Sequence, residues 1–152
     1  MKMLFDTRGQ RYEAIVRKHA RRLPVDGHPI LVRQGWYPLV EAMLDQVARD
    51  HPTVVFSRIQ AGGGWLRVDV ENQSRPFDPR DDLRLSNVIQ GFVTQSLSTC
   101  EDCGSHHGRH VDATAYGYET GMNRTLCEEC VPVFADLAIA TLASKNKEPR
   151  DA

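Results

Sequence analysis

A chain of 152 residues that is 41% hydrophobic and 26% charged has the make-up of one globular domain with a modest core, too short for two independent ones. No apolar run approaches the ~20 residues that cross a bilayer, and MKMLFDTRGQ lacks the apolar stretch of an export signal, so a soluble cytoplasmic protein is expected. The net charge of −1 conceals an asymmetry: residues 1–35 hold eight Lys or Arg against three acids, residues 36–90 six against eight, and residues 91–152 five against nine.

TRGQRYEAIVRKHARRL, residues 7–23, places Tyr12, Ile15, Val16, His19 and Leu23 on one helical face, and Pro24 should stop the helix. Arg8, Arg11, Arg17, Lys18, Arg21 and Arg22 cover much of the remainder, which reads as a solvated flank or a binding surface. PVDGHP then predicts a turn, with Asp26-Gly27 at the reversal, before a short apolar stretch from Ile30 to Val32. In GWYPLVEAMLDQVARDHP, Pro38 suits the first turn of a helix whose buried face is Leu39, Val40, Met43, Leu44 and Val47, and Pro52 ends it.

TVVFSRIQ and WLRVDVE, joined by AGGG, predict a hairpin. Strict alternation puts Leu66, Val68 and Val70 on one face of the second strand and Trp65, Arg67, Asp69 and Glu71 on the other. Asp78-Pro79 starts the next helix, with aspartate as N-cap and proline in the first turn. Leu85, Val88, Ile89, Phe92, Val93 and Leu97 form its apolar face and deliver the chain into Cys100. A last helix opens near Pro132 and runs into a charged tail.

Cys100-Glu-Asp-Cys103-Gly104 and Cys127-Glu-Glu-Cys130 form a doubled CxxC. Thiolates two residues apart can turn onto one tetrahedral ion, so a zinc site held by Cys100, Cys103, Cys127 and Cys130 is expected in preference to disulfides or four free thiols. Gly104 permits the positive φ with which the turn leaves the metal. His106, His107 and His110 follow the first pair, and one of them could replace a cysteine. Four thiolates leave no position for water, so Lewis-acid chemistry is not expected.

The order of a CxxCG turn, a hairpin through HVDATAYGYETGMNRTL and a CxxC running into a helix resembles a treble-clef zinc finger. CEDCG to LCEEC is similar to the finger of the DksA/TraR class of polymerase-binding regulators. That resemblance implies only the metal role of the four cysteines, since the long coiled coil of that class has no counterpart here and Pro132 departs from its smooth helix start. Over residues 35–130, GWYPLVEAM, FSRIQAGGGWLRVDVE, TCEDCG and TLCEEC resemble a family of small, largely uncharacterised bacterial and phage proteins. In that family a GW-x-PL helix, a hairpin and a four-cysteine finger follow in the same order; AGGGWLRV stands where its members carry a charged EKFGGLRF-like run. The resemblance implies a domain outline and no activity.

A zinc deaminase needs His-x-Glu upstream of Pro-Cys-x-x-Cys, and neither is present. An HNH-type nuclease on a treble clef would draw on His106, His107, His110 and Asn123, yet VPVFADLAIATLASKN has no histidine to complete it. Binding remains. The expected fold is α+β: a small antiparallel sheet packed by helices, with a C-terminal treble-clef-like finger. Residues 1–35 would be the basic helix and turn, 36–98 a helix–hairpin–helix core, 99–144 the finger and last helix, and 145–152 a tail. The expected function is a non-enzymatic, zinc-stabilised docking or regulatory protein from a phage or mobile element. Its partner would be a host or cognate protein, met through Trp65 and Arg67 or through Arg17, Arg21 and Arg22. Core packing is the competing role for Trp65 and for Trp36. Nucleic-acid binding by the basic helix is the alternative, weakened by a pI near 6.6 and by the acidic metal end.

Overall fold

The computed structural model describes residues 2–25, 27–73 and 77–147, with side-chain detail between residues 9 and 140. Asp26 of the expected turn, the Arg8 side chain and the tail beyond residue 147 lie outside the described residues. Among the described residues, four α-helices and two two-stranded antiparallel sheets make up an α+β fold. In chain order these are α1 (Lys2–Lys18), α2 (Tyr37–Asp50), β1 (Val54–Ala61), β2 (Leu66–Asn72), α3 (Pro79–Ser96), β3 (Arg109–Val111), β4 (Arg124–Leu126) and α4 (Val131–Lys147). Among the described residues no helix is long and apolar enough to cross a membrane.

The α-helix that was expected to end at Leu23 ends at Lys18 and tightens into a 3₁₀ turn over Ala20–Arg22. Leu23 stands before Pro24 and is forced into extended backbone (φ −108°, ψ 155°), so the chain must leave the α conformation earlier. The tightening also aims the buried His19 ring at Asp45 on α2, 2.8 Å away. Arg17 therefore sits on α1 while Arg21 and Arg22 sit on the turn, and the three do not form one helical stripe. Arg22 is half-buried, and its Nε has no partner among the described residues.

α2 buries the face the periodicity predicts, Leu39, Val40, Met43, Leu44 and Val47, against β1 and α3. The hairpin pairs Val54 with Asn72 and Ala61 with Leu66, with a bulge between Phe56 and Arg58. Ala61 is thus part of β1, and the connection is Gly62–Trp65. Gly63 and Gly64 take positive φ there, as a tight reversal demands. On β2, Leu66 is fully buried, Val68 and Val70 are half-buried, and Arg67, Asp69 and Glu71 are exposed. Trp65 lies one residue before the strand rather than in it, because Gly62 N–H closes the turn on the Trp65 carbonyl at 2.8 Å. Leu31 adds a single parallel bridge to the far edge of β1, at Gln60.

Asp78 caps α3 by accepting the Arg80 N–H at 3.0 Å, and Pro79 occupies the first turn. Leu97, expected on the apolar face, is the C-cap and is exposed, because the helix ends at Ser96. Ser96 is fully buried: its hydroxyl accepts the Leu66 N–H at 3.0 Å and donates to Val93 O at 2.5 Å. Helix and hairpin are joined at this point.

Candidate metal centre

The end of α3 leads into the first cysteine pair through tight backbone turns. Cys100 N–H donates to Ser105 O at 2.8 Å and Gly104 N–H to Cys100 O at 3.0 Å, and Gly104 has φ 80°. The chain then makes the β3–β4 hairpin, in register from Arg109 opposite Leu126 to Val111 opposite Arg124. Asp112 caps a 3₁₀ turn, Ala113–Tyr116, inside the connection by accepting the Thr114 N–H at 3.0 Å. The second pair lies in the turn that leads into α4: Val131 N–H reaches Cys127 O and Phe134 N–H reaches Cys130 O, both at 3.2 Å. Pro132 fits this start, since the donor it lacks is one of those a first helical turn leaves free. Knuckle, hairpin, second pair and helix follow in treble-clef order.

The four sulfurs, from Cys100, Cys103, Cys127 and Cys130, lie within 4.8 Å of one another, and Cys103 Sγ is 3.6 Å from Cys127 Sγ. A tetrahedral ion about 2.3 Å from each sulfur sets its ligands about 3.8 Å apart, whereas a disulfide needs about 2.05 Å. The spacing fits a shared ion. The Ser105 amide points at Cys103, but burial and the Cys127 and Cys100 thiols leave that thiol above its ordinary value; at Cys127 burial is outweighed by the Cys130 and Glu129 amides and the neighbouring thiols, which leave it below. Burial, with three thiols alongside, pushes the Cys130 thiol far above its ordinary range. Four crowded thiols cannot all ionise on their own; a divalent cation supplies the missing charge.

The histidines stand outside this cluster. His106 and His107 are exposed and line a shallow recess with Glu128 and Glu129, while His110 Nε2 faces the Asn123 amide at 3.3 Å. Asn123 is held by its own hairpin, its Oδ1 accepting the Ala113 N–H at 2.8 Å. Phe134 anchors α4 beneath the hairpin: Tyr118 stacks on it with centroids 4.3 Å apart, and the Arg124 guanidinium lies 4.7 Å above its ring.

What holds the knuckle to the rest of the chain is the segment Arg33-Gln34-Gly35-Trp36, which sequence pattern alone did not connect to the cysteines. Gly35 N–H donates to Glu101 O at 2.8 Å, and Trp36 Nε1 donates to Thr99 O at 2.7 Å. Gln34 Nε2 donates to Asp102 O at 3.1 Å, and Arg33 pairs with the Asp102 carboxylate. Trp36 is fully buried, which assigns it to the core. From the other side, Glu101 is locked to the hairpin. Its N–H donates to Thr125 O at 2.9 Å, and its carboxylate accepts the Thr125 N–H at 2.6 Å. Burial pushes this carboxyl up to about 6 despite that bond. A glycine-tryptophan pair 63 or more residues upstream of its partners gave the only hint, since a glycine before a buried aromatic marks a close backbone approach.

Trp65 remains 41% exposed at the hairpin turn, with the Arg67 guanidinium 4.8 Å above its ring. Arg17 and Arg21 are exposed on the opposite, N-terminal part of the chain. No family description, characterised protein or solved structure matches this chain.

Proposed function

We propose that the chain is a non-enzymatic docking protein whose finger is stabilised by zinc on Cys100, Cys103, Cys127 and Cys130. The observation that carries the zinc assignment is the all-sulfur donor set at tetrahedral spacing. Soft thiolates favour zinc over magnesium or calcium, and four of them fill its shell, leaving no position for an activated water. Native mass spectrometry should find one zinc per chain; another metal, or none, would overturn the assignment.

The docking surface proposed is the hairpin turn. An exposed indole capped by an arginine is the kind of pair that dominates binding hot spots, and β2 carries Arg67, Asp69 and Glu71 outward beside it. Nuclease-treated cross-linking in cell extract, with the wild type against Trp65→Ala, tests this. Loss of a specific partner with zinc content and Tm unchanged supports docking there, and an unaltered capture pattern refutes it.

A further inference from the structure

The four sulfurs of the metal centre are not equivalent. Cys100 and Cys127 are buried and Cys130 is half-buried, whereas Cys103 is exposed. Hydrogen bonding separates them too: the backbone amides of Cys130 and Glu129 meet the Cys127 sulfur, and that of Ser105 alone meets the Cys103 sulfur. Each amide draws electron density from a thiolate and makes it a poorer nucleophile. A thiol on a metal is deprotonated outright, so access and hydrogen bonding rank the ligands once the site is filled. Access puts Cys103 first of the four, and hydrogen bonding puts it ahead of Cys127.

A second sulfur stands ready beside it. Cys127 Sγ lies 3.6 Å from Cys103 Sγ, and a disulfide closes at about 2.05 Å, so a small shift of either turn joins the two. Both turns have room to make it. Cys103 is followed by Gly104, whose φ of 80° marks a backbone free of side-chain constraint, and a recess of about 520 Å³ lined by His106, His107 and Glu128 lies against Cys127. Cys100 is held more firmly. Its N–H is bonded to Ser105 O, and the next residue, Glu101, is tied to Gly35 on one side and Thr125 on the other.

We propose that Cys103 is an oxidation site through which hydrogen peroxide discharges the metal centre, with Cys127 as the resolving thiolate. The Cys103 thiolate attacks one peroxide oxygen, the O–O bond breaks, hydroxide leaves, and Cys103 becomes a sulfenic acid. The Cys127 thiolate then attacks that sulfur, a second hydroxide leaves, and a Cys103–Cys127 disulfide forms. Two thiolates lose two electrons in all, and the peroxide takes them. Cys100 and Cys130 are left as the remaining pair, too few to close a tetrahedral zinc shell. The assignment rests on the zinc reading above and adds a means of regulating that site. The bond it names joins the two cysteine pairs, instead of closing either CxxC on itself.

The test treats the full zinc-loaded chain with hydrogen peroxide beside a chromophoric zinc chelator, after native mass spectrometry has counted the metal, and then digests it without reduction. Zinc should be released in step with the loss of two thiols, and the digest should contain a peptide pair joined through Cys103 and Cys127. Dithiothreitol with added zinc should refill the site, since a disulfide is reducible and a sulfinic acid is not. A disulfide within either CxxC pair or between Cys100 and Cys130, or a loss of metal that dithiothreitol does not reverse, would overturn the proposal. Cys103→His retains a donor that zinc accepts in a three-cysteine, one-histidine site, and this variant should hold its metal equally with and without peroxide. Release from it at the wild-type rate would overturn the role of Cys103; should the variant bind no zinc, the disulfide map of the wild type decides. Zinc present at the outset and retained under peroxide would overturn the oxidation site alone, and no zinc at the outset would overturn the zinc reading with it.

Discussion

Gly35→Ala should loosen the finger from the core without touching a metal ligand. A Cβ at this position would lie 2.5 Å from the carbonyl carbon and oxygen of Glu101 and closer still to Cys100 O. Those are backbone atoms of the knuckle and cannot swing aside. Gly35 has no positive φ, so the penalty is steric, not conformational. Forcing a methyl group into packed backbone costs about 1–3 kcal/mol, and losing the Gly35–Glu101 hydrogen bond adds about 1 kcal/mol. A total of about 2–4 kcal/mol lowers Tm by about 5–15 °C in a chain of this size. Because the displaced residues are Cys100 and Glu101, metal should also transfer faster to a chromophoric chelator. Gly91→Ala is the control: nothing lies within 4 Å of its Cβ, and on an exposed position of α3 it should raise stability by about 0.5–1 kcal/mol. Equal Tm and equal chelator resistance for Gly35→Ala and wild type would refute the clamp between Arg33–Trp36 and the knuckle.

Cys103→Ser should abolish stable metal binding and unfold at least the finger, seen as loss of metal in native mass spectrometry and of amide protection over β3 and β4. Ser96→Ala strands the buried Leu66 N–H and should cost about 1–3 kcal/mol in denaturant unfolding, with m unchanged. Burial would raise the Asp45 carboxyl, but its bonds to Lys18 and His19 outweigh this and hold it below its ordinary value of 3.8. Its contribution is therefore present above pH 3.8 and lost as pH falls through the lower folded value. Asp45 is 43% exposed, so Asp45→Asn should flatten the acid limb of the stability profile by less than about 1 kcal/mol, read by urea unfolding between pH 2 and 5.

The metal centre was legible because its chemistry is written in local spacing: two CxxC pairs and a glycine that permits the turn between metal and hairpin. α2 and α3 were legible for the same reason, since Pro38, the Asp78-Pro79 cap and the helical period act within a few residues. The misses concern contacts that spacing does not encode. Trp36 reads as a helix start with two possible roles, and only its bond to Thr99 across the fold decides for the core. The unwinding of α1 after Lys18 answers to Asp45 on another helix and to the residue before Pro24. Trp65 falls outside its strand because the four-residue connection sits one residue later than expected, with Ala61 paired to Leu66. The bridge at Leu31 is a single pairing in a segment too short to carry a period.

The most direct test of the centre is X-ray absorption at the metal edge of the purified, zinc-loaded chain. Zinc on Cys100, Cys103, Cys127 and Cys130 predicts a first shell of four sulfurs at about 2.3 Å, with no lighter scatterer. A shell containing nitrogen or oxygen at about 2.0–2.1 Å would contradict the account, placing a histidine or water where the structure sets a fourth cysteine.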